Sequence, residues 1–87
     1  MKRLSVAFLI AFLSTPAWAD DEIPLDQVPE AARQTIMKHV ADGTIEEIDR
    51  DVEGGKTVYE VEYRDASGKE FELKVAEDGR LLANRPD

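Results

Sequence analysis

The sequence predicts an α+β domain in which one helix packs across a four-stranded antiparallel meander, in the order α-β-β-β-β. Apolar residues recur at helical spacing between Val28 and Val40. Beyond Gly43 the apolar period changes from 3.6 to 2. Glycines punctuate the second half at intervals that leave only short connections, so consecutive strands become antiparallel neighbours.

Ahead of this domain, Lys2 and Arg3 precede an apolar run from Leu4 to Leu13, and Ser14-Thr15-Pro16-Ala17-Trp18-Ala19 follows. A basic segment, a short apolar segment and a small-residue segment in that order are what the export machinery reads. Residues 1–19 are therefore expected to be a signal peptide cleaved before Asp20, with residues 20–87 forming the domain. A membrane anchor needs about 20 apolar residues, twice this run. No cysteine is present to receive a lipid at the junction. The expected location is the periplasm or the medium.

Loss of Lys2 and Arg3 with the leader takes the formal charge from −8 to −10. A field of that sign disfavours nucleic acid and anionic membrane surfaces and favours basic or cationic partners. With no cysteine there is no disulfide, so folding rests on packing alone. A core this small is marginal unless the domain dimerises or binds something, and both a monomer and a homodimer are compatible with the sequence.

Asp20 to Gln27 is an acidic lead-in without a sustained period, interrupted by Pro24, and is expected to run extended over the surface. Pro29 suits the first helical position because its missing N–H costs nothing there. Val28, Ala31, Ala32, Thr35, Ile36, His39 and Val40 fall in one stripe, while Glu30, Arg33, Gln34 and Lys38 fall outside it and Met37 lies opposite. Gly43 is the expected left-handed stop.

Alternation places Tyr59, Val61, Tyr63, Phe71, Leu73 and Val75 on one buried face. Gly54-Gly55 and Asp78-Gly79 read as two-residue hairpin loops, the second pairing Glu77 with Arg80, Ala76 with Leu81 and Val75 with Leu82. The middle loop is Ala66-Ser67-Gly68, with Asp65 across from Lys69. The first strand, Thr44 to Glu53, needs a β-bulge near Glu46-Glu47 for Ile45 and Ile48 both to face inward. The expected core joins Val28, Ala32, Ile36 and Val40 to Tyr59, Val61, Phe71, Leu73, Val75 and Leu82.

The run Val28-Pro29-Glu30-Ala31-Ala32, the helix ending at Gly43, Ile45-Glu46-Glu47-Ile48, Gly54-Gly55-Lys56, Tyr59-Glu60-Val61 and Asp78-Gly79-Arg80-Leu81 together resemble the PepSY-like family of small exported bacterial proteins. That family is related in fold to a protein inhibitor of β-lactamases. The resemblance implies a non-enzymatic domain, related to modules that restrain peptidases or other exported enzymes. It carries over no catalytic residue, and this chain has one copy of the unit where relatives often have two.

The residues themselves offer no catalytic constellation and no cofactor motif. His39 is the sole histidine, and without cysteine neither Cys/His zinc spacing nor a thiol nucleophile exists. Gly54-Gly55 lacks the Lys-Ser/Thr of a phosphate loop. Tyr59 and Tyr63 alternate with Val61 and read as core. The expected registers instead set Asp49 opposite Glu60, Glu47 opposite Glu62, Glu62 opposite Glu72 and Glu60 opposite Lys74. Glu47, Asp49, Glu60, Glu62 and Glu72 are accordingly the candidate binding residues. Such a face suits the basic surface of an exported protein partner, loose binding of a divalent cation, or simply solubility.

Overall fold

A computed structural model describes residues 21–87, so the leader and its cleavage point lie outside the described residues. The elements are β1 (Asp21–Glu22), α1 (Glu30–Val40), β2 (Thr44–Glu53), β3 (Lys56–Arg64), β4 (Glu70–Ala76) and β5 (Leu81–Pro86). The strands form one antiparallel sheet in sequence order, with α1 across one face. No helix among the described residues is long and apolar enough to cross a membrane.

The fifth strand corrects the expected lead-in. Asp21 and Glu22 pair with Arg50 and Asp49 of β2. The Ile23 amide then donates to the Ile48 carbonyl at 2.9 Å, and the Ile23 side chain enters the core. A single 3-10 turn, Leu25–Gln27, carries the chain to Val28. Two residues of pairing hold no period for a sequence pattern to reveal.

Pro29 occupies the N-cap, one place before the expected position, and its carbonyl accepts from the Arg33 amide at 2.8 Å. Ala32, Ile36 and Val40, four residues apart, are buried along the helix. Thr35 and His39 flank them half-buried, whereas Ala31 and Met37 are exposed. The helix does not end at a left-handed Gly43: Ala41 holds the positive φ, at 51°. Gly43 serves another purpose, since a side chain there would overlap the Arg64 carbonyl oxygen. The glycine lets the α1–β2 connection pass directly over the end of β3.

Three tight hairpins set the register. Gly54 and Gly55 both have positive φ, 59° and 79°, and join Glu53 to Lys56 as a two-residue loop. In the next loop the Gly68 amide donates to the Asp65 carbonyl and the Asp65 amide to the Lys69 carbonyl, each at 2.9 Å. Asp65 Oδ1 also accepts from the Ser67 amide, the Ser67 hydroxyl and the Lys69 amide, holding its carboxyl below the usual range.

The last hairpin repeats this three-residue pattern and corrects the expected two-residue loop. Ala76 and Arg80 close it, the Gly79 amide donates to the Ala76 carbonyl, and Gly79 takes φ 94°. Val75 therefore pairs with Leu81 and Lys74 with Ala83, leaving Leu82 in a bulge. Leu82 is 43% exposed and is no part of the core. Val52, on the same side of β2 as Ile48, is also exposed.

The core comprises Ile23, Val28, Ala32, Ile36, Val40, Ile48, Tyr59, Val61, Tyr63, Leu73 and Val75, with Leu25, Ile45 and Phe71 at its margin. The pairing slips between Ile45 and Glu47, the bulge that the isoleucine spacing calls for. Phe71 stacks on Tyr63 with ring centroids 5.4 Å apart, and the Tyr63 hydroxyl donates to Asn84 Oδ1 at 3.1 Å.

Leu73 and Ile36 are fully enclosed where helix meets sheet, so Leu73→Ala or Ile36→Ala is expected to cost about 2 to 5 kcal/mol in urea unfolding. At the helix end two opposite signs are expected. Gly43→Ala forces an overlap with backbone and should destabilise by about 1 to 3 kcal/mol, whereas Ala41→Gly, relieving a positive φ, should leave the urea midpoint unchanged or raise it.

Candidate functional site

The face of the sheet opposite α1 carries its charged residues in rows, because pairing fixes which side chains sit side by side across strands. Glu47, Glu62 and Glu72 are consecutive pairing partners across β2, β3 and β4. One row along, Asp49 pairs with Glu60 and Glu60 with Lys74. All five candidate residues lie on this face in the register read from the sequence.

The structure separates these five into two groups. Glu60 and Glu72 are partnered: Lys74 Nζ lies 3.5 Å from Glu60 and 3.0 Å from Glu53, and Arg85 Nη2 lies 3.3 Å from Glu72. Arg85 extends the acidic row by one cation, which sequence reasoning missed because the expected pairing of the last hairpin went no further than Leu82. Glu47, Asp49 and Glu62 remain together with no cation at salt-bridge distance among the described residues, and β1 adds Glu22 opposite Asp49.

Electrostatics within this group are unfavourable at neutral pH. The Glu47 carboxyl shares a hydrogen bond with Asp49, which favours its protonated form. Together with repulsion from Asp49, Glu22 and Glu62, this pushes its pKa to about 7. Glu62 is also pushed up, by partial desolvation first and then by Asp87, Asp49, Glu72 and Glu46. Along the rim, Arg64 bridges Glu46 and Glu70, at 2.7 Å each, across three strands. Glu46 is the extra residue of the β2 bulge, which turns it toward that guanidinium.

A second acidic group, Asp51, Glu53 and Glu60, brings one carboxylate oxygen from each within 4.8 Å of the others. The Lys74 ammonium contacts two of the three, so a cation placed there would compete with the protein's own.

The residues bearing on catalysis are engaged elsewhere. His39 Nδ1 faces the Thr35 carbonyl at 2.9 Å along α1, and the Ser67 hydroxyl donates to Asp65 at 2.6 Å in a turn. Tyr59 and Tyr63 lie in the core.

A pH dependence follows from the raised carboxyl of Glu47. Between its ordinary value of 4.5 and about 7 the folded chain holds a proton that the unfolded chain has released, so this group's contribution is fully present below 4.5 and is lost as pH rises toward 7. The thermal midpoint should fall across that window, and Glu47→Gln should flatten the fall. An unchanged slope in thermal melts of the variant would remove Glu47 as its source.

Comparison with known proteins places the fold in a lineage. A protein-family model described as "Peptidase propeptide and YPEB domain", PepSY, matches residues 22–83. A protein of Bacillus subtilis (strain 168), described as uncharacterized protein YkoJ, is 39% identical over 61 residues, which is 70% of this chain and 35% of that protein. The chain thus spans only about a third of that relative's length. No solved structure matches. The matched segment runs from Glu22 in β1 to Ala83 in β5 and includes the helix and the hairpins that align the acidic face, and the chain belongs to the PepSY family.

Proposed function

We propose that this chain is an exported, non-enzymatic binding module whose outer sheet face engages a basic surface on another exported protein and regulates it, as an inhibitor of a peptidase or similar enzyme would. One observation supports the reading above others. Glu47, Asp49 and Glu62 are held together on open strands without a compensating cation among the described residues, although Lys74 and Arg85 neutralise acids on the same face. A face selected for stability alone would alternate charge at these positions. A partner's lysines and arginines would relieve the repulsion on binding and speed encounter by electrostatic attraction. The family description, with its peptidase propeptides, supports the regulatory part of the reading.

Divalent-cation binding is the second reading, supported by the approach of Asp51, Glu53 and Glu60. The two separate in one set of measurements. Glu47→Gln combined with Glu62→Gln is expected to raise the thermal midpoint of the isolated domain while slowing its association with basic exported proteins, most strongly at low salt. Added calcium should then leave the midpoint of the parent protein where it was. A rise on adding calcium favours the cation reading, and undiminished association at low salt excludes the acidic row as the contact surface.

A further inference from the structure

At the end of the sheet where β3 begins, the outer face opens into a pocket of about 250 Å3 lined by Lys56, Thr57, Ala76, Glu77, Asp78 and Arg80. Ala76 pairs with Val58 on one side, and on the other its amide donates to the Arg80 carbonyl. Lys56, two residues from Val58, shares the outward side of β3. The floor is thus a methyl group, with Lys56 of β3 to one side and Arg80, at the closing end of the last loop, to the other. Ala76 and Val58 are 8% and 5% exposed on a face that no helix covers.

The two cations differ from their neighbours. Arg50, Arg64, Lys74 and Arg85 each reach a carboxylate within 3.5 Å. The side chains of Lys56 and Arg80 reach none among the described residues, although Glu77 and Asp78 line the same pocket. Asp78 Oδ1 is occupied by the Arg80 backbone amide at 3.0 Å.

The loop wall is also fixed in place. The Thr35 hydroxyl of α1 donates to the Gly79 carbonyl at 2.6 Å. Gly79 approaches the helix so closely that a Cβ there would lie 2.8 Å from the Ala31 carbonyl oxygen. A site with a clamped wall loses little freedom on binding. Its volume falls below the range for drug-sized ligands and suits one side chain or one chain terminus.

We propose that this pocket is a carboxylate site, holding one acidic group of a bound polypeptide between the Lys56 ammonium and the Arg80 guanidinium over the Ala76 methyl. The acidic wall residues Glu77 and Asp78 limit it to a single negative charge and disfavour a phosphate dianion. The inference rests on the reading of the domain as a binding module but uses no residue of the acidic row.

The test is amide chemical-shift titration of the protein with two carboxylate probes, each beside its neutral counterpart. Tri-alanine with a free terminus is compared with its amide, and acetyl-Ala-Glu-Ala-amide with the peptide carrying Gln in place of Glu. Shifts at Lys56, Thr57 and Glu77 to Arg80 in one carboxylate arm, absent from its control, are expected, and the responding arm distinguishes terminus from side chain. Lys56→Gln combined with Arg80→Gln should weaken that arm about tenfold or more, and Arg80→Lys should retain part of it. Equal shifts with the neutral peptides, or none with either carboxylate, overturn the site. If the protein still associates with a basic partner through Glu47 and Glu62, the pocket alone has failed; if it does neither, the binding-module reading fails with it.

Discussion

In a sheet covered by a helix on one side only, the pairing register decides which residues meet the helix and which meet water. Here the register is set at the hairpins, by Gly54-Gly55 between β2 and β3 and by the Asp65–Lys69 closure between β3 and β4. A slip of one residue in β3 would turn Tyr59, Val61 and Tyr63 outward and bring Glu60 and Glu62 beneath Ile36. Burying unpaired carboxylates costs far more than a loop can repay. The apolar pattern and the loops therefore enforce one another, and the core and the charged face are two consequences of one alignment.

That alignment gives the outer face its electrical character. Each salt bridge on it spans strands: Arg64 joins β3 to Glu46 of β2 and Glu70 of β4, Lys74 joins β4 to Glu60 of β3 and Glu53 of β2, and Arg85 joins β5 to Glu72 of β4. Most of the groups are well exposed, so each pair contributes little to stability. Their effect is one of distribution. Cations neutralise the rim and the β4–β5 side, and the uncompensated charge gathers on β2 and β3 around Glu47, Asp49 and Glu62, where β1 adds Glu22. A domain without disulfides and with a small core carries this repulsion as a standing cost.

Much of this was legible in the sequence because period and loop length are local properties. The helix stripe, the bulge between Ile45 and Glu47, the two-residue Gly54-Gly55 loop and the order of charges across β2, β3 and β4 all follow from counting residues. What was not legible depended on contacts distant in sequence. Ile23 enters the core only because Asp21 and Glu22 find an edge on β2. Gly43 reads as a helix stop until the Arg64 carbonyl is seen against it. Asp78-Gly79 satisfies a two-residue and a three-residue loop equally well on composition, and the choice moved Leu82 from core to bulge. The pairing of Arg85 with Glu72 was hidden for the same reason, since the extent of β5 depends on that loop.

The three-residue choice at the last hairpin has a physical cause in the helix. Gly79 has to combine a positive φ with close approach to the Ala31 backbone, and only a residue without Cβ meets both conditions at once. In the observed loop the Gly79 carbonyl accepts the Thr35 hydroxyl, so a turn that connects two strands is also bonded to α1 across the end of the sheet. The helix is thus fixed to the sheet by apolar packing along Ala32, Ile36 and Val40 and by a polar contact at one end. Because Ala76 and Arg80 close that same loop, the contact that orients the helix also fixes the spacing of charged residues on the opposite face. Loosening it would disturb the pocket between Lys56 and Arg80 while leaving the Glu47, Asp49 and Glu62 group, built on the far strands, in its present geometry.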